Sequence, residues 1–149
     1  MAYKFGINAK LYYDVAGVAN DTWTECDIVH GDVTLAIDKA EADATTRAMG
    51  GWKAIVAKMK DASIEFEMIW DTAEAAFTAL QDAFLNDTVI GIACMDAAIA
   101  TVGSEGLKAD MCVTRFHRVE PEEGAQLVQV TLKPTYSDTA PAWYTTPAS

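Results

Sequence analysis

Strict alternation of apolar and polar residues runs through four stretches of this chain. A two-residue period commits each stretch to a β-strand with one face buried and the other wet or partnered. Val33, Leu35 and Ile37 interleave with Thr34, Ala36 and Asp38, and Ile64, Phe66, Met68 and Trp70 with Ser63, Glu65, Glu67 and Ile69. Leu107, Ala109, Met111 and Val113 interleave with Lys108, Asp110, Cys112 and Thr114, and Val128, Val130 and Leu132 with Gln129, Thr131 and Lys133. Weaker strand signals lie at 5–13, 23–29, 42–48, 52–59 and 88–95. About eight strands in 149 residues predict a mainly β chain, an antiparallel sandwich or barrel forming a single domain over 1–149.

One segment departs from the period. Over 72–86 the apolar residues Ala73, Ala76, Phe77, Leu80, Ala83 and Phe84 recur at helical spacing, which predicts one flanking α-helix with a Phe/Leu stripe against the sheet. Asp71 and Glu74 read as a capping box at its start, and Asn86-Asp87 as its stop. Residues 14–22 read as a surface loop, and Gly103-Ser104-Glu105-Gly106 and Pro121-Glu122-Glu123-Gly124 as turns. The segment 137–149 holds two of the four prolines and is expected to be extended or loosely docked, with Trp143 and Tyr144 covering something.

Charge is unevenly distributed. With 22 acidic and 11 basic residues the net charge is −11, which excludes a protein that grips nucleic acid through clustered Lys and Arg. From 44 to 60 there are four bases (Arg47, Lys53, Lys58, Lys60) and no acid. From 61 to 105 there are nine acids and no base. Two readings stand: a solvated acidic surface, or self-association in which the basic segment of one copy faces the acidic segment of the next.

Chemistry is scarce. His30 and His117 lack metal-ligand spacing, no serine sits in a GxSxG elbow, and Met49-Gly50-Gly51-Trp52 lacks the Lys-Ser/Thr of a phosphate loop. Cys26, Cys94 and Cys112 have no CxxC spacing and read as reduced small hydrophobes. Glu65 and Glu67 share a strand face, but two solvated carboxylates have no cause for the divergent pKa values that acid/base catalysis needs. The expectation is no catalytic residue, no cofactor and no metal. No run of about 18 apolar residues exists for a membrane span, and Met1 to Gly6 lacks the apolar run of a signal peptide, so synthesis in the cytoplasm is expected.

The stretches Asp32 to Ile37, Glu41 to Arg47 and Gly51-Trp52-Lys53 resemble the N-terminal half of the tail tube proteins of long-tailed bacteriophages and prophages. Lys60 to Met68 followed by the helix, Gly106 to Asp110, Val113-Thr114 to Glu120-Pro121, and Thr131 to Thr135 extend the resemblance over roughly residues 5 to 136. The resemblance implies a β-sandwich with a flanking helix that assembles into hexameric rings, stacked as a hollow tube through which DNA passes without specific binding. It implies a place in the virion tail after assembly in the host cytoplasm, and as partners further copies of the chain, the tape measure, the tail tip and the terminator. It would make Arg47, Gly50, Gly51, Trp52 and Lys53 the ring-to-ring contact, and segments 1–8 and 137–149 inter-subunit arms. Glu65 and Glu67 are the acidic candidates for facing the lumen, with a contact between copies as their other reading. The rival reading is a monomeric β-barrel that binds a ligand or a protein, with Trp23, Trp52, Trp70 and Trp143 lining a pocket. An enzyme ranks third.

Overall fold

Ile64, Phe66 and Met68 are almost wholly buried, while Glu65 between them is exposed and Ser63 and Glu67 are half-buried, so the alternation is a real strand facing a core. The computed structural model describes residues 4–148. Its strands are β1 (Lys10–Asp14), β2 (Thr24–Glu25), β3 (Val29–Asp43), β4 (Ile55–Ile69), β5 (Ile90–Met95), β6 (Glu105–Val119), β7 (Leu127–Pro134) and β8 (Ala142–Thr145), with one helix, α1 (Ala75–Leu85). All pairings are antiparallel, in the order β2-β1-β5-β6-β7-β4-β3, with β8 on β6.

The 15 residues of β6 organise the sandwich. Its first part pairs with β5 and β8, and its last part, from Met111 to Val119, pairs with β7. Within the β7 pairing a bulge between Val113 and Arg115 shifts the register and bends the strand. Leu11 and Tyr13, Ile90 and Ile92, Met111, Ile64 to Met68, and Val128 to Leu132 therefore meet in one apolar cluster, closed by Ala76, Phe77, Leu80 and Ala83 of α1. Aromatic contacts pin the helix: Phe77 lies 4.8 Å from Trp70 and 5.9 Å from Phe116, and Phe84 stacks on Phe116. β5 is buried on both sides, because Ala93 and Met95 form a second cluster with Tyr12, covered by Trp23, Ile99 and Tyr144.

Several sequence expectations change in detail. The helix spans 75–85 rather than 72–86, and the capping box does not form. Asp71 Oδ1 instead accepts the Ala73 N–H in a turn before the helix, and Glu74 occupies the cap position without a side-chain hydrogen bond. The 42–48 and 52–59 signals belong to the outer ends of β3 and β4, which run on as one long hairpin. Gly106 is not in a turn but inside β6. Within the segment expected to be an extended arm, Ala142–Thr145 docks as β8 on β6 of its own chain. Residues 1–3 and 149, at the ends of the two expected arms, lie outside the described residues.

Two buried carboxylates fix the loop after β1. Asp14 accepts the backbone N–H groups of Ala16 and Thr22, both at 2.9 Å, and the Asn20 amide. Asp110, on β6, accepts the Val18 N–H at 2.6 Å and the Ser137 hydroxyl, tying this loop to the segment leading into β8. Asp110→Ala should cost about 1–3 kcal/mol by orphaning the Val18 donor. Urea unfolding with amide exchange at Val18 checks it; unchanged protection of Val18 would refute the tie.

Candidate assembly surface

The outer half of the β3–β4 hairpin leaves the core. Beyond Ala36 and Ala62 it is a mostly exposed ribbon, bulged between Lys39 and Glu41 and ending in a tip over residues 44–54. The tip is ordered by its own hydrogen bonds. Ala44 N–H donates to the Ala54 carbonyl at 3.0 Å, Ala54 N–H to Thr45 Oγ1 at 2.9 Å, and Trp52 N–H to the Met49 carbonyl at 3.2 Å. Gly50 and Gly51 have φ of 63° and 89°, the left-handed backbone that a glycine adopts at little cost. Hydrogen bonds from Thr45 hold the Asp43 carboxyl below its ordinary pKa, so it stays charged at the root of the tip.

All five residues expected at a ring-to-ring contact thus lie on or beside one turn, and Trp52 is 77% exposed. Met49, Ile55, Val56 and Met59 add further exposed apolar surface, Met59 at 86%. None of Arg47, Lys53, Lys58 and Lys60 takes part in the ion pairs among the described residues. Register adds a feature that residue order alone does not reveal. Asp38 stands directly opposite Asp61, and Lys39 opposite Lys60, arrangements that destabilise an isolated ribbon.

Glu65 and Glu67 project from the face of β4 opposite the core. Cross-strand register puts Thr34 and His30 of β3 on the same face on one side, and Thr131 and Gln129 of β7 on the other. Arg115 and His117 of β6 complete it, opposite Thr131 and Gln129. Arg115 Nη2 donates to Gln129 Oε1 at 3.0 Å, and Gln129 Nε2 donates to Glu67 Oε1 at 3.4 Å, so a relay of polar groups crosses three strands. The result is a shallow, wet, polar face over β3, β4, β7 and the last part of β6.

The edges of this four-stranded unit carry no partner strand. Among the described residues β3 pairs only with β4, and β6 beyond Met111 pairs only with β7. Long, flat free edges are templates for another chain.

Among the described residues no group of three His, Cys, Asp or Glu side chains could hold a metal ion. Cys26 is buried and Cys94 half-buried, and the loss of solvent pushes both thiols up to about 11, so neither is a ready thiolate nucleophile. The four tryptophans do not share a pocket. Trp52 is on the tip, Trp70 packs on Phe77, Trp23 lies beside Lys108, and Trp143 is exposed on β8. Among the described residues no helix is long and apolar enough to cross a membrane.

No protein-family model matches the chain, and no curated protein sequence matches it. Solved structures do. A chain in the tail of an empty gene transfer agent particle, determined with C6 symmetry, superposes with a TM-score of 0.74 at 13% identity, over 97% of this chain and 99% of its own length. A chain in the native gene transfer agent virion gives 0.72 at 12%, over 95% and 99%. The SPP1 tail tube gives 0.72 at 12%, over 98% and 81%. The fold implied by the sequence resemblance is the fold observed: this chain has the architecture seen in the SPP1 tail tube and in the gene transfer agent tail.

Proposed function

We propose that this chain is a structural subunit, without catalytic activity or cofactor, that self-assembles into stacked hexameric rings forming the hollow tube of a phage-type tail. The observation that carries this reading is the four-stranded unit with two free edges and one polar face. Its strands alternate in direction, so β3 of one copy and the last part of β6 of the next can pair antiparallel and continue the sheet. Such an edge-to-edge contact joins different patches, and a heterologous contact closes into a ring when its rotation divides the circle. Six copies are favoured by the C6 symmetry of the similar gene transfer agent tail.

In that ring the polar face turns inward, and carboxylates on it repel passing phosphates instead of binding them. The tip residues Arg47, Gly50, Gly51, Trp52 and Lys53 reach the next ring. Residues 1–8 and 137–149 are further contacts between copies, within one folded unit over 1–149. Tape measure, tail tip and terminator proteins are the other partners, and the virion tail the destination.

Negative-stain electron microscopy of concentrated purified protein, with light scattering across a dilution series, tests the reading. Rings and tubes are expected, with an axial repeat no longer than the 15-residue ribbon, about 50 Å at roughly 3.3 Å per residue. Compact single particles at every concentration, with a melting point raised by a small ligand, would instead favour the binding barrel.

A further inference from the structure

We infer that the hairpin tip has a defined receptor on the next copy: the groove of about 870 Å³ between the start of β3 and the β1–β2–β5 edge. The inference rests on the self-assembly reading and adds the site that takes the tip. Leu11, Val29, Val33 and Cys94 supply an apolar lining, and the exposed Asp27 and Asp32 supply negative charge at its rim. Glu25 and Lys10, also at the groove, neutralise each other at 2.6 Å, so the unpaired charge there is acidic. The tip offers the complement: an exposed Trp52 on an ordered turn, flanked by Arg47 and Lys53 that make no ion pair among the described residues. A rigid aromatic anchor ringed by charge opposite an apolar groove of the other sign is the composition of an interface hot spot.

Position supports the match. The groove takes in residues 29–34 of β3, whereas the tip begins after Asp43, at the far end of the same strand. Knob and groove are separated along one ribbon by roughly 40 Å at about 3.3 Å per residue. A tip cannot reach its own groove, but a second copy displaced along the ribbon presents its groove to it. Repeating that contact gives an open stack rather than a closed ring, because its two halves lie at opposite ends of the subunit. Lateral closure and axial stacking therefore use different surfaces.

Charge reversal and rescue tests the pairing. Arg47→Glu with Lys53→Glu, and separately Asp27→Lys with Asp32→Lys, should each leave folded protein that forms rings but at least tenfold fewer stacked tubes. All four changes together should restore tubes. These side chains are exposed, and thermal melts of each variant confirm folding. A second measurement uses Trp52→Cys with Asp32→Cys: oxidation of assembled tubes should give covalent chains running through successive rings, which neither single variant gives. Normal tubes from the Asp27/Asp32 variant, or no recovery in the fourfold variant, would overturn the groove assignment while leaving the assembly reading intact. Wild-type protein that forms neither rings nor tubes would overturn the assembly reading, and this assignment with it.

Discussion

Gly106→Ala should abolish folding at ordinary temperatures, whereas Gly103→Ala should cost only about 1–2 kcal/mol. The two glycines are three residues apart and do opposite things. Gly103 sits in a turn at φ 88° with open space around it, so an added methyl meets only backbone strain. Gly106 lies inside β6, where β5 pairs on one side and β8 on the other. A Cβ there would overlap the Cys94 carbonyl oxygen, 2.7 Å from its carbon and 2.9 Å from the Met95 Cα. These are backbone atoms, and no side chain can swing aside to relieve the clash. Relief requires β5 and β6 to part, which breaks the Gly106–Met95 and Leu107–Cys94 pairing beneath the buried Ala93 and Met95. Ordinary overpacking costs about 1–3 kcal/mol when side chains can adjust. A clash between two central backbones costs more, against a total stability of about 5–15 kcal/mol. Soluble yield and thermal melting by circular dichroism distinguish the pair. A Gly106→Ala melting point close to wild type would show that the strands separate freely.

The contrast between those glycines also marks how far residue order carries. Gly103 and Gly106 look alike in sequence, and both read as turn punctuation; only strand pairing tells them apart. β4 was legible because its faces meet different surroundings, so Ile64, Phe66 and Met68 alternate with polar residues. β5 gave only a weak signal because both its faces are buried and its alternation is erased: Ile90 and Ile92 face one cluster, Ala93 and Met95 the other. β8 was hidden by its proline-rich surroundings, and its place on β6 depends on residues some 35 positions earlier. The helix was legible from its stripe, but its cap was not, since Asp71 serves a turn that precedes the helix. The basic tip was visible as a block without acids. Its receptor groove was not, because three separate stretches of chain build it and no local pattern records their meeting.

The largest functional effect is expected from Glu65→Lys combined with Glu67→Lys, which should make assembled tubes retain DNA. Register and lining together assign to the polar face the acids Asp32, Asp38, Asp61, Glu65 and Glu67 and the bases Arg115 and Lys133, a balance of 2 − 5 = −3 per copy with both histidines neutral. Each Glu→Lys change adds two charges, so the double variant stands at −3 + 4 = +1. On the proposed hexameric ring the lumen then moves from −18 to +6. Closely spaced rings make this a continuous cationic wall, and binding to it releases counterions from DNA, which gives a steep dependence on salt. Retention of short duplex DNA should therefore be strong at low salt and fall by at least tenfold on raising salt from about 50 to 200 mM. Folding should survive, because Glu65 is exposed and Glu67 gives up only a long hydrogen bond from Gln129. Glu65→Gln with Glu67→Gln brings the face only to −3 + 2 = −1 and should retain far less, separating charge inversion from loss of carboxylates. Normal tubes carrying both lysines and holding no DNA at low salt would place this face away from the lumen and leave Glu65 and Glu67 to contacts between copies.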